Sequence, residues 1–180
     1  MVIKNKKWIL KERPVGLVKD SDFELVSEEL PKINEGEILI ENIYLSFDPT
    51  QRSWLNDVPG YLPPVQIDEV VRSGGIGRVI DSKNPDYKTG DLTFGLVGWQ
   101  THCLTKPNIE DRFRVVPDLL PMPTMLNVMG STGITAYYGL VELGKPNSGE
   151  TVLVSGAAGA TGSVVVQIAK LKGCHVIGIA

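Results

Sequence analysis

The sequence predicts a mostly-β domain over residues 1–122, followed over residues 123–180 by the opening βαβ unit of a doubly wound α/β sheet. Three observations carry this. Short runs rich in Ile, Leu and Val alternate with Gly, Pro and Asn turns as far as Pro117. Charge then thins out: beyond residue 125, only Lys145, Lys170, Lys172, Glu142 and Glu150 remain of 18 basic and 21 acidic side chains. A sheet covered on both faces requires such a composition. Finally, a strand, a glycine-rich turn, a helix and a second apolar strand follow one another from Glu150 to Ala180.

In the first domain, Lys7–Lys11 and Phe23–Glu28 are expected as short strands, and Glu37–Tyr44 as a stronger one behind the Gly36 turn. Asp48-Pro49 ends it, and Asn56, Asp57, Pro59, Gly60 and Pro63-Pro64 make residues 52–64 a loop. Glu69–Asp81 reads as a strand in which Gly74, Gly75 and Gly77 predict a bulge, a bend or a close neighbour. Leu92–Val97, Thr101–Leu104 and Phe113–Val116 complete a compact, partly closed β domain.

Past Pro121 and Pro123, residues 132–143 are expected as a helix. Its apolar face is Ile134, Tyr137, Tyr138 and Val141, with Gly144 and Pro146 as the stop. Glu150–Ser155 is expected as a buried strand, residues 156–162 as a turn, and residues 163–172 as a helix closed by Gly173. Cys174–Ala180 then begins a second strand, parallel to the first by the right-handed crossover rule. One helix leaves much of so apolar a sheet uncovered, so the sequence is expected to stop within this domain.

Composition narrows the function classes. With 42% hydrophobic and 22% charged residues, the chain has enough apolar material for a core and no disorder signature. A net charge of -3 gives no reason to expect nucleic acid or an anionic membrane as partner. Cys103 and Cys174 form no CxxC pair, which argues against a disulfide scaffold and a cysteine-based zinc site. There is no signal-peptide core and no 18-residue apolar span, so a cytoplasmic location is expected.

The segment Val154-Ser155-Gly156-Ala157-Ala158-Gly159-Ala160-Thr161-Gly162 carries the chemistry. Ala158 stands where GxGxxG has its second glycine, yet the physics survives. Gly156 can turn off the strand, Gly159 can let backbone approach a pyrophosphate, and Gly162 can let helix and strand pack closely. Free N–H groups at the next helix's N-terminus then face the phosphates. The strand–turn–helix–strand context favours dinucleotide binding over a merely structural crossover. No GK[ST] follows, so it is not a Walker loop.

Asp48, Arg52 and Tyr61 are candidates for a substrate cleft. Arg52 either pairs with Asp48 as a turn device or borders the cleft and positions or neutralises charge. Tyr61, beside Leu62-Pro63-Pro64, either walls an apolar site or anchors a surface loop. Thr132 and Thr135 can cap their helix or meet a cofactor phosphate. Tyr137 and Tyr138 are read as core. His102 and His175 lack carboxylates at ligand spacing, so no metal site is expected; His175 is read as structural, and His102, after Trp99-Gln100-Thr101, as either structural or catalytic. Nothing resembles a nucleophilic or glycosidic constellation.

The chain resembles the medium-chain dehydrogenase/reductase superfamily, and within it the zinc-independent, NADP-dependent alkenal/one oxidoreductases. The likeness runs through YLSFDPTQRSW (Tyr44–Trp54), YLPPV (Tyr61–Val65), GIGRV (Gly75–Val79), GSTGITAYYGL (Gly130–Leu140) and VSGAAGATGSVVVQIAK (Val154–Lys170). It implies a GroES-like domain followed by the start of a Rossmann domain, the N-terminal half of such an enzyme. It also implies hydride transfer from NADPH to the β-carbon of an enone or enal. Gly156, Ala157, Ala158, Gly159, Ala160 and Gly162 would then surround the pyrophosphate, with Thr135 near the cofactor phosphates. NAD stays open, because the ribose-reading residue would lie beyond the second strand. Thr50 and Thr161 depart from a tyrosine and a valine frequent among relatives, and the zinc ligands of the metal-dependent branch are missing. The resemblance further implies a homodimer of the full-length protein and a small-molecule partner. No proton donor is assigned. A zinc-free quinone reductase and a non-catalytic fragment are the alternatives.

Overall fold

The computed structural model describes residues 3–180, in two compact units divided between Leu119 and Leu120. The first unit holds an antiparallel pair, β1 (Lys4–Leu10) and β2 (Phe23–Glu29). It also holds β3 (Ile38–Leu45), α1 (Thr50–Trp54), β4 (Gly74–Ser82), β5 (Leu92–Leu96), β6 (His102–Thr105) and β7 (Arg114–Val115). The last five strands form an antiparallel sheet in the order β6-β3-β4-β5-β7. Ile38, Ile40, Val79, Val97 and Cys103 make its core, with Tyr87 and Phe113 packed on them. Leu10, Leu55, Val65 and Val71 make a second cluster with Phe23, Trp54 and Trp99. Burying one such aliphatic side chain stabilises by roughly 1.5–3 kcal/mol, so these clusters fix the strands and also the loop between β3 and β4.

Two glycines of β4, Gly75 and Gly77, are sites of close approach, whereas a Cβ on Gly74 would make only ordinary contact. A Cβ on Gly75 would lie 2.5 Å from Val97 Cγ2 and 2.8 Å from the Tyr44 carbonyl oxygen. One on Gly77 would lie 2.5 Å from the Glu41 carbonyl oxygen. The β3–β4 register shifts between Leu39 and Ile40 and between Asn42 and Tyr44.

Two expectations for this unit are corrected. Residues 52–54, expected in a loop, belong to α1. Pro49, with φ -56° and ψ -29°, already has helical geometry and starts the turn. Residues 69–73 are not part of β4. Instead Ile9 bridges Val70, Leu10 N–H donates to Glu69 O at 2.9 Å and Val71 N–H to Trp8 O at 2.9 Å. That segment serves β1, and the ladder with β3 begins only at Gly75.

The second unit contains α2 (Met122–Leu126), α3 (Ser131–Tyr137), a π-helical extension (Tyr138–Gly144), β8 (Thr151–Ser155), α4 (Ala160–Leu171) and β9 (His175–Ile179). β8 and β9 pair in parallel, Thr151 with His175 through Ser155 with Ile179. Here too the sequence reading needs correction. The buried stripe of α3 and its extension is Gly133, Ala136 and Leu140, whereas Ile134, Tyr137 and Tyr138 are exposed. Small residues win because the backbone comes so close: a Cβ on Gly133 would collide with the Val128 carbonyl oxygen. β8 is not a buried strand either, since only Val154 is enclosed and Leu153 is exposed. α4 starts three residues before the expected Ser163, because Gly159 takes the extended N-cap conformation and Ala160 is already helical.

Candidate functional site

In the first unit, the segment after β3 is held by a knot of hydrogen bonds around Ser46. Ser46 N–H donates to Gly74 O at 2.8 Å, and its hydroxyl donates to Asp48 Oδ2 at 2.6 Å. Its carbonyl accepts from Gln51 Nε2 at 2.9 Å and from the buried Ser73 hydroxyl at 2.6 Å. Gln51 is itself buried, and its Oε1 has no partner among the described residues. The Asp48 carboxylate is thus directed by Ser46, not by Arg52.

Arg52 makes no ion pair with Asp48 among the described residues. Its Nη1 donates to Asn56 Oδ1 at 2.6 Å, and its Nη2 to the carbonyls of Gly16 at 2.9 Å and Pro14 at 3.3 Å. A guanidinium so engaged ties α1 to residues 14–16. The turn-pair alternative is overturned, because nearer carbonyl acceptors outcompete the carboxylate that Ser46 already holds.

Asp48 and Arg52 line one cavity of about 320 Å³, whose apolar walls include Leu17, Val18, Leu55, Val71 and Trp99. Phe47 stacks on Trp99, ring centroids 6.0 Å apart and 17° from coplanar, and the two rings line both this cavity and a second of about 510 Å³ beside Trp8, Leu25 and Leu45. Both volumes are in the range of small-molecule sites. Tyr61 does not join them. It is exposed, lies edge-on to Trp54 at 6.2 Å, and lines a separate hollow of about 210 Å³. His102 lies on the edge strand β6 with its Nδ1 3.1 Å from Thr101 Oγ1, and lines none of these cavities. His175 is exposed at the start of β9.

In the second unit, the glycine turn joins β8 to α4. Gly156 has φ +59°, a left-handed geometry that favours glycine, and a Cβ there would meet open space. Ala157 N–H donates to Ile179 O at 2.9 Å and Gly159 N–H to Gly156 O at 2.9 Å, so both are used within the fold. The first helical bond of α4 is Ser163 N–H to Gly159 O at 2.9 Å. This leaves the N–H groups of Ala158, Ala160, Thr161 and Gly162 without a protein acceptor among the described residues. The first turn of α4 carries no acidic residue to compete for them. Four free donors at the positive end of a twelve-residue helix suit a phosphate group. Gly162 must be glycine for another reason: a Cβ would run into the Gly156 carbonyl oxygen.

Thr135 is exposed on α3, and its hydroxyl has no protein partner among the described residues. Thr132 instead donates to Asn127 O at 2.7 Å, a loop clasp. Two further residues escaped sequence reading. Gly178 on β9 brings that strand against the turn, since its Cβ would lie 2.8 Å from Ala157 Cβ. A lone glycine near the middle of the second apolar strand was the available signal. Asn5, buried in β1, donates to Gln100 Oε1 at 2.9 Å and accepts from Thr101 Oγ1 and His102 N–H at 3.1 and 3.0 Å. It fixes the stretch after Trp99, and no local pattern announces it.

Residues 6–111 match the family described as the N-terminal domain of oxidoreductase. An NADPH-dependent curcumin reductase of Escherichia coli K12 is 38% identical, over 98% of this chain and 51% of the relative. Prostaglandin reductase 1 of Bos taurus is 41% identical, over 97% of this chain and 51% of the relative. Among solved structures, CurA of Vibrio vulnificus in complex with NADPH is 37% identical and superposes with a TM-score of 0.87, over 97% of this chain and 51% of that one. The chain spans about half the length of the curated relatives it matches. With a family match across more than half of its length and relatives that align along nearly all of it, the chain belongs to the oxidoreductases of the medium-chain dehydrogenase/reductase superfamily, in the branch of the curcumin and prostaglandin reductases.

Proposed function

We propose that the protein is a reductase of α,β-unsaturated ketones and aldehydes that uses NADPH and no zinc. The observation that carries this reading is the β8–turn–α4 junction. Its four unengaged N–H groups stand at a helix start, on a chain 37% identical to a protein solved with NADPH. In this reading Ala158, Ala160 and Gly162 donate to the pyrophosphate, and Gly156, Ala157 and Gly159 shape the turn. Thr135 meets a cofactor phosphate. NADPH, when bound, supplies the hydride for the β-carbon.

The chain's own part is placement and solvent exclusion. The apolar hollows beside Phe47 and Trp99 suit a poorly hydrated enone, and Asp48, held by Ser46, stands at the edge of one of them. Among the described residues no three His, Cys, Asp or Glu side chains gather into a metal-binding group. Among the described residues no helix is long and apolar enough to cross a membrane; a cytoplasmic location is part of the proposal. A homodimer of the complete protein is part of the same proposal.

The test is an assay of the complete protein with 4-phenyl-3-buten-2-one and with a quinone, each with NADPH and with NADH. The expected product is the saturated ketone, formed with NADPH and at an unchanged rate after dialysis against a zinc chelator. An allylic alcohol as product, or turnover of the quinone alone, overturns the reading.

A further inference from the structure

Residues 14–18 form a strap that is anchored at one end by the buried Pro14 and otherwise by one set of hydrogen bonds. Among the described residues, no hydrogen bond reaches this segment except those that Arg52 donates to the carbonyls of Pro14 and Gly16. Yet the strap contributes Leu17 and Val18 to the lining of the cavity of about 320 Å³, together with Phe47, Leu55, Val71 and Trp99. Leu17 is 88% exposed overall, so packing alone does not hold it there. Gly16 has φ +78°, and a Cβ on it would touch nothing, which lets the strap turn beneath the guanidinium. Asn56 completes the fork on the far side of Arg52.

We propose that Arg52 is the positioning residue that sets the width of this cavity, and thereby the size of the apolar substituent that an α,β-unsaturated carbonyl substrate can carry there. The inference rests on the reductase reading for its ligand, but its geometry is independent of that reading. Arg52 itself borders the cavity, but it sets the width through the strap it fastens. Arginine suits the task because its planar fork serves three acceptors in fixed directions, whereas a lysine ammonium holds no such geometry. Freed from the fork, the strap swings outward, a small substituent loses its wall, and a large one keeps contact with Phe47 and Trp99.

The experiment compares wild type, Arg52→Lys and Arg52→Ala in the complete protein, with a compact enone (3-penten-2-one) and a bulky aryl enone (4-phenyl-3-buten-2-one). For the compact enone, KM is expected to rise about tenfold in Arg52→Ala with kcat nearly unchanged, the pattern of lost uniform binding. The aryl enone's KM should move less than about threefold. Arg52→Lys, which keeps the charge, is expected to resemble Arg52→Ala in this selectivity. A parallel titration follows the quenching of tryptophan fluorescence by each enone without cofactor, so binding is read even if the reductase reading fails. Equal changes for both enones, or a lysine variant identical to wild type, overturn the proposal. So does a wild-type protein that binds neither enone. Thermal unfolding of each variant separates a loosened strap from a damaged fold, and a large loss of stability with unaltered selectivity also counts against it.

Discussion

At the scale of single residues, chemistry follows from who holds whom. Ser46 takes Asp48, and the carbonyls of Pro14 and Gly16 take Arg52, so two charges four positions apart never meet. The two cysteines differ in the same way. Cys103 is buried in the sheet core, and burial pushes its thiol up to about 12 from an ordinary 9.0, with Asp111 adding to the effect. Cys174 is only half-buried beside Asn147. Iodoacetamide at about pH 8 should therefore label Cys174 first and Cys103 only on unfolding, which peptide mass spectrometry will read. The thiol's folded pKa lies above its unfolded value. Its contribution is therefore complete below pH 9.0 and is lost as pH rises toward about 12. Cys103→Val should flatten that alkaline limb of the stability curve relative to wild type. An unchanged limb would show that Cys103 ionises as freely in the fold as outside it.

At the scale of elements, the β8–turn–α4–β9 unit is the part most legible in sequence. Glycine spacing, a following helix and two apolar strands announce it, and the parallel register is observed. Gly162→Ala should weaken NADPH binding by about tenfold or more, roughly 1.4 kcal/mol. The new Cβ must displace the Gly156 carbonyl and with it the four free donors. Isothermal titration of the complete protein checks this, and unaltered affinity would show that the donors do not hold the cofactor. What sequence did not disclose was set by neighbours distant in the chain. Residues 69–73 look like the start of β4, but β1, some sixty positions earlier, claims their hydrogen bonds. Periodicity selected Tyr137 and Tyr138 for the core. A backbone approach at Gly133 gave that place to the smaller Ala136 and Leu140 instead. Cleft candidates divided for a similar reason: Asp48 just ahead of α1 and Arg52 on it share a cavity, while Tyr61 is drawn to Trp54 at the helix's last position.

At the scale of the whole chain, apolar burial is unequally distributed. In the first unit Leu10, Ile38, Ile40, Ile76, Val65, Val71, Val79 and Val97 are all enclosed. In the second unit none of the large side chains is fully enclosed. Leu153, Ile177 and Ile179 of the parallel pair stay exposed, with Tyr138, Leu143 and Leu171 on the helices. Local opening energies track such burial, so the two units should differ in protection from hydrogen exchange. In the 180-residue chain, amides of β3, β4 and β5 should exchange at least about a hundredfold more slowly than those of β8 and β9, a gap of roughly 2.7 kcal/mol. The exposed apolar faces should also bind a hydrophobic dye, and the signal should fall when any molecule covers them. Hydrogen-exchange mass spectrometry resolves the strands by peptide, because they lie in different stretches of chain. Equal protection in β4 and β9 would mean that the second unit buries its apolar side chains by self-association, and a concentration series would then move the exchange rates of β9 while leaving β4 unchanged.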